Sequence, residues 1–100
     1  MIKLVRSMQP RLGKESQAVQ HAKNVVDYIN RTFPAMHLEV YAAESGQHGT
    51  IYWLGESESL AALEQEDAAI AADPGWAALW QGAEGLYRDG RLHNLTLRSL

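Results

Sequence analysis

The apolar positions change period along the chain, and each change marks a new element. Over residues 2–9 apolar and polar side chains alternate, the two-residue period of a half-buried strand, before Pro10 and Gly13 bring a turn. The spacing then widens to three and four. Ala18, Val19, Ala22, Val25, Val26, Ile29 and Phe33 form one stripe along a helix, with Lys14, Gln17, Gln20, Lys23, Asp27 and Arg31 opposite. Pro34 stops that helix, because proline disfavours helical geometry in the residue before it. Two further strands, over 36–43 and 50–54, flank the turn at 44–49 and read as a hairpin.

Ser57 and Ser59 are both candidate N-caps for a helix beginning near Glu58, with Glu58, Glu64 and Glu66 near its positive end. Leu60, Leu63 and Ile70 supply its buried side. Asp73-Pro74 restarts the helix: aspartate caps, and proline suits the first helical position, where its missing N–H would be unpaired anyway. Trp76, Leu79, Trp80 and Ala83 make the next apolar stripe, and Asp89-Gly90 signals a turn before a last strand over 92–99. The order is βαββαβ, an α+β domain spanning 1–100.

Strand side chains alternate between two faces. One consistent division gathers Ile2, Leu4, Met36, Leu38, Val40, Ile51, Trp53, Leu95 and Leu97 under the helices, with Arg6, Met8 and His93 sharing their parity. The other set includes Lys3, Val5, Ser7, His37, Glu39, Tyr41, Tyr52, Leu54, Asn94, Thr96 and Arg98. This second face is too polar for a core and too rich in tyrosine and aliphatic residues to be left in water. A sheet docking on a second sheet uses such a mixture. In the antiparallel order 4-1-3-2, the division predicts Ile2 opposite Leu97, Leu4 opposite Leu95, Arg6 opposite His93, Val40 opposite Trp53 and Tyr41 opposite Tyr52. A slip of one residue would invert a strand's faces.

Composition narrows the classes. At 100 residues there is room for one domain with a modest core, which makes association an attractive way to bury more surface. The net charge of −3 and the scattered basic residues argue against a nucleic-acid partner, which needs a basic face. No apolar run reaches the ~20 residues of a membrane span, and the charged N-terminus is no signal peptide, so the expected location is the cytoplasm. Cysteine is absent, no histidines have HxH or HxxxH spacing, and there is no glycine-rich phosphate loop. Neither metal nor cofactor is expected.

The βαββαβ order, with Asp73-Pro74-Gly75-Trp76-Ala77-Ala78-Leu79-Trp80 before a final strand, resembles the dimeric α/β-barrel superfamily. That group includes antibiotic-biosynthesis monooxygenases, stress-responsive barrel proteins and NIPSNAP-type proteins. The resemblance implies a ferredoxin-like protomer whose sheet packs on a partner's sheet to close a barrel, often with a pocket between helices and sheet. Haem-degrading members carry an Asn on the first strand and a Trp and a His in the second helical region. Here the first strand has no Asn, and no His follows Trp80 until His93, so haem degradation is not expected.

Candidate chemistry follows from the faces. Arg6 and His93, on the helix-facing parity at one end of the sheet, form a candidate catalytic pair: Arg6 for an anion, His93 for a proton. His21, on the flank of the first helix near Gln17, Asn24 and Tyr28, is a third catalytic candidate. Trp53, Trp76, Trp80 and Tyr28 are candidate ligand-binding residues, although tryptophans at helical spacing also serve as core. His37, Glu39, Tyr41, Tyr52 and Arg98 are expected in the homodimer interface. Two functions compete: a cofactor-independent monooxygenase-like or cyclase/isomerase-like enzyme acting on a small aromatic or polyketide-like molecule, and a non-catalytic dimeric ligand-binding or structural protein. A ferredoxin-like RNA binder ranks below both, for want of basic residues and of aromatics on the first strand.

Overall fold

In a computed structural model, residues 1–89 and 92–100 are described. The elements run β1 (Ile2–Met8), α1 (Glu15–Thr32), a 3₁₀ turn (Pro34–Met36), β2 (Glu39–Ala42), β3 (Ile51–Ser57), α2 (Leu60–Ala71), α3 (Pro74–Gln81) and β4 (His93–Arg98). The strands form one antiparallel sheet in the order β2-β3-β1-β4, as the sequence predicts. Gly90 of the Asp89-Gly90 turn signal lies outside the described residues.

Most of the helix stripe read from the sequence is the core; Val19 is exposed, and Val26 and Phe33 are partly buried against it. Ala18, Ala22, Val25 and Ile29 of α1 are buried with Ile2, Met36, Ile51 and Trp53 from the sheet side. A fully buried aliphatic side chain of this kind contributes roughly 1.5–3 kcal/mol. Ser59 is the N-cap of α2, its hydroxyl accepting from the Ala62 N–H. The other candidate cap, Ser57, ends β3 instead and donates to Glu66 Oε1 at 3.2 Å. β3 runs past its expected end because Gly55 pairs with Leu4, and the bare glycine gives Met36 and Leu38 room to pack against it.

The hairpin register matches expectation: Val40 faces Trp53 and Tyr41 faces Tyr52. The β1–β4 register does not. Ile2 pairs with Arg98, Lys3 with Leu97, Leu4 with Thr96, Val5 with Leu95, Arg6 with Asn94 and Ser7 with His93. This one-residue offset turns every β4 side chain to the opposite face. Leu95, Leu97 and His93 lie on the face away from the helices, while Asn94, Thr96 and Arg98 share the helix side with Ile2, Leu4 and Arg6. The cause is coverage. The helices pack over β2 and β3, and β4 is an edge strand exposed along its whole length. Its helix-side positions therefore need not be apolar.

The break between α2 and α3 is locked by three residues. Asp73 caps α3 by accepting from the Trp76 N–H, and the Tyr28 hydroxyl of α1 donates to the same carboxylate oxygen. A Cβ at Gly75 would clash with that tyrosine oxygen. Gly82, at the end of α3, has only ordinary contacts around its missing Cβ. Gly75→Ala is therefore expected to destabilise by about 1–2 kcal/mol despite the better helix propensity of alanine, because Tyr28 must leave its bond to Asp73. Gly82→Ala should be neutral or stabilising. Thermal melts of both variants check the contrast, and an unchanged midpoint for Gly75→Ala contradicts it.

Candidate functional site

A cavity of about 300 Å³ lies between the sheet and the helices α1, α2 and α3. Its floor is the helix side of the sheet, with Leu4, Arg6 and Trp53; its walls include Val25 and Ile29 of α1, Asp67 and Ile70 of α2, and Trp76 and Trp80 of α3. Trp53 faces this layer because β3 alternates strictly, burying Ile51, Trp53, Gly55 and Ser57 on one side. Trp76 and Trp80 are four residues apart on α3 and reach the cavity together. Their rings meet edge to face at 5.7 Å, and the Trp80 ring meets Trp53 at 6.0 Å. Trp53 also belongs to the core, with its indole N–H donating to the Ala22 carbonyl at 3.2 Å. The Trp80 indole N–H is buried without a hydrogen-bond partner among the described residues.

Two charged side chains enter this apolar lining. Arg6 is half-buried, and its Nε donates to Asn94 Oδ1 at 2.8 Å, which steers the guanidinium along the floor. Asp67 is exposed and lines the same cavity from α2. Among the described residues neither makes an ion pair, the two bridges being Lys3–Glu56 and Arg11–Asp89. Asp67 was legible in one respect: it falls four residues after Leu63 and three before Ile70, so it interrupts the apolar stripe of α2.

The other sequence candidates separate. His93 is not beside Arg6 on the helix side; the register sets it opposite Ser7 on the far face, where it is exposed. Arg98, expected on the open face, is opposite Ile2 on the helix side. Tyr28 does not line the cavity, because its hydroxyl is committed to the Asp73 cap. Glu39, Tyr41 and Tyr52 do lie on the open face, and the Tyr41 hydroxyl donates to Glu39 at 2.6 Å. His37 precedes β2 in the left-handed region at φ 46°, exposed and close enough to Glu56 to act on its charge. Lys3, bonded to Glu56 at 2.5 Å, is the main group holding that carboxyl below its ordinary range.

His21 is buried, not solvated as the flank of a helix suggests. Its Nε2 lies 3.1 Å from the Leu79 carbonyl and its Nδ1 lies 2.8 Å from the Tyr87 hydroxyl. A carbonyl only accepts, so Nε2 carries a hydrogen, and in the neutral ring Nδ1 shares the Tyr87 hydroxyl hydrogen with the Ala18 carbonyl, 3.2 Å from that hydroxyl. The ring also stands edge-on to Trp80 at 4.7 Å. Tyr87, a residue the sequence pattern did not single out, thus braces α1 against the end of the second helical region, and burial pushes its hydroxyl pKa far up. No group of three His, Cys, Asp or Glu gathers among the described residues to hold a metal ion. No helix among them is long and apolar enough to cross a membrane.

No protein-family model matches the chain, and no curated protein matches it. Solved structures match its fold over the whole length. A NIPSNAP domain protein from Burkholderia xenovorans superposes with a TM-score of 0.83 at 15% identity, covering 100% of this chain and 95% of that one. A NIPSNAP family protein from Agrobacterium tumefaciens gives 0.82 at 17% identity over 99% and 92% of the two chains. An antibiotic biosynthesis monooxygenase gives 0.75 at 13% identity over 100% and 99%. The chain has the ferredoxin-like α+β fold of these proteins, the same groups that its sequence resembles.

Burial lowers the His21 pKa, outweighing the opposing bond to Leu79. The unfolded chain, with an ordinary value near 6.5, takes up the proton first as pH falls. Stability is therefore full above pH 6.5 and is lost as pH drops through 6.5 toward the lower folded-state value. Denaturant midpoints measured from pH 7.5 to pH 5 should fall for the native chain, and less steeply for His21→Gln. Parallel profiles would contradict this assignment.

Proposed function

We propose that this chain works as a homodimeric α/β barrel that receives a small aromatic molecule in the tryptophan cavity of each protomer. The observation that carries the ligand reading is the convergence of Trp53, Trp76 and Trp80 with one guanidinium on a single recess of about 300 Å³. Small-molecule sites have this make-up: apolar aromatic walls and a few polar groups that fix orientation. The ligand stacks between indoles and turns an acceptor oxygen toward Arg6, or toward the unpaired Trp80 N–H once the side chain shifts. A charge-assisted bond to Arg6 in that setting is worth more than a neutral one.

The dimer reading draws on the open face. Across the sheet, Leu54, Val5 and Leu95 form one row, flanked by Tyr52 and Tyr41 on one side and Leu97 on the other. Leu95 is 54% exposed, Leu97 44% and Tyr41 54%. The β4 register thus makes this face more apolar than the sequence division suggests, which favours a second copy as its cover. Lys3, Glu56 and Glu39 give it a polar rim.

Turnover is the second reading. The fold neighbour named as an antibiotic biosynthesis monooxygenase and the Asp67 carboxylate in the cavity lining favour a cofactor-independent monooxygenase-like or cyclase/isomerase-like reaction, with Asp67 taking a proton from the bound molecule. Its seat would be the cytoplasm.

Benzoate, added to the intact protein, should quench tryptophan emission saturably, and Arg6→Gln should weaken its binding by about tenfold. An emission spectrum indifferent to benzoate contradicts the cavity reading. Light scattering at micromolar concentration should give twice the chain mass. Leu95→Asp or Tyr52→Asp should shift it toward the monomer, since each buries a charge in the interface. A native chain of single mass overturns the dimer.

A further inference from the structure

The geometry points to a ligand with two unlike ends: an aromatic ring carrying an anionic oxygen group on one side and an ammonium on the other. This rests on the cavity reading above and deepens it. Arg6 projects from the strand that forms the cavity floor, half-buried and tied by its Nε to Asn94, which leaves the rest of the guanidinium to donate elsewhere. Asp67 lines the same cavity from α2, in contact with solvent. The rings of Trp53, Trp76 and Trp80 line the same cavity, Trp80 in edge-to-face contact with the other two.

Arg6 and Asp67 carry opposite charges on the sheet wall and the helix wall of one cavity. Here neither makes an ion pair among the described residues. A simple aromatic acid would satisfy Arg6 and leave Asp67 to repel its carboxylate. An arylalkylamine would suit Asp67, and its ring could be enclosed by indoles, but the half-buried guanidinium would meet an apolar end and lose hydration. A molecule such as an aminomethyl-substituted benzoate meets all three demands. Its carboxylate reaches Arg6, its ring meets the indoles and its ammonium meets Asp67. The fork of Arg6 favours a planar carboxylate over a single oxygen.

The test compares 4-(aminomethyl)benzoate, 4-methylbenzoate and benzylamine by calorimetric titration of the full chain. These share the ring: 4-methylbenzoate lacks only the amine nitrogen, and benzylamine lacks only the carboxylate. The zwitterion is expected to bind about tenfold more tightly than either singly charged analogue, with the advantage shrinking at high salt. In Asp67→Asn the ratio of zwitterion to 4-methylbenzoate affinity should fall to about one. Equal or tighter binding of 4-methylbenzoate to the native chain overturns the two-ended ligand while the cavity reading stands. An unchanged ratio in Asp67→Asn overturns the role of that carboxylate. Failure of all three compounds to bind overturns both readings together.

Discussion

The pairing of β1 with β4, which sets Val5 against Leu95 and Lys3 against Leu97, governs both faces of the sheet. On the helix side it brings Asn94 beside Arg6, so the guanidinium is held where the cavity floor needs it. On the open side it gathers the leucines of β4 with Val5 and Leu54. Because strand period is two, no intermediate arrangement exists. Either the leucines face the helices and Arg6 loses its amide partner, or they face outward and the sheet acquires an apolar side. The chain adopts the second solution, and the place of Arg6 in the cavity floor and the apolar row on the open face follow from one hydrogen-bonding register.

The cavity also depends on an aromatic framework behind it. Trp80 touches Trp53, Trp76, His21 and Tyr87, so it joins the sheet, α1 and the segment after α3. A wall built this way has little freedom to close over an empty recess. Large rings offset edge to face keep their separations, where flexible aliphatic chains would fill the gap. His21 and Tyr87 support the wall from outside without entering the cavity. Together they form a buried imidazole–hydroxyl pair that ties α1 to the end of α3 and the segment after it.

Much of this was legible in the residues. The α1 stripe, the Asp73-Pro74 start of α3, the sheet order and the Val40–Trp53 and Tyr41–Tyr52 pairs all follow from local period and turn chemistry. The three tryptophans also converge as their faces suggest. The faces of β4 were not legible, because the rule that apolar residues turn toward helices holds only where helices reach. That edge strand lies beyond them. The roles of Tyr28 and His21 were hidden for another reason. Each is fixed by a partner far along the chain, Asp73 at a separation of 45 residues and Tyr87 at 66, and no local pattern encodes such a meeting.

The interruption at Asp73 also sets the angular phase of the cavity wall. An α-helix advances by roughly 100° per residue, so in an unbroken rod Trp76 would point roughly 120° away from Ile70. Ile70 and Trp76 nevertheless line the same recess. The chain achieves this by ending one helix and starting another with its own azimuth, anchored through Tyr28 to α1. The capped break thus acts as a phase corrector: the alanine-rich half and the tryptophan-bearing half of the second helical region enclose a common volume only because they are not one helix.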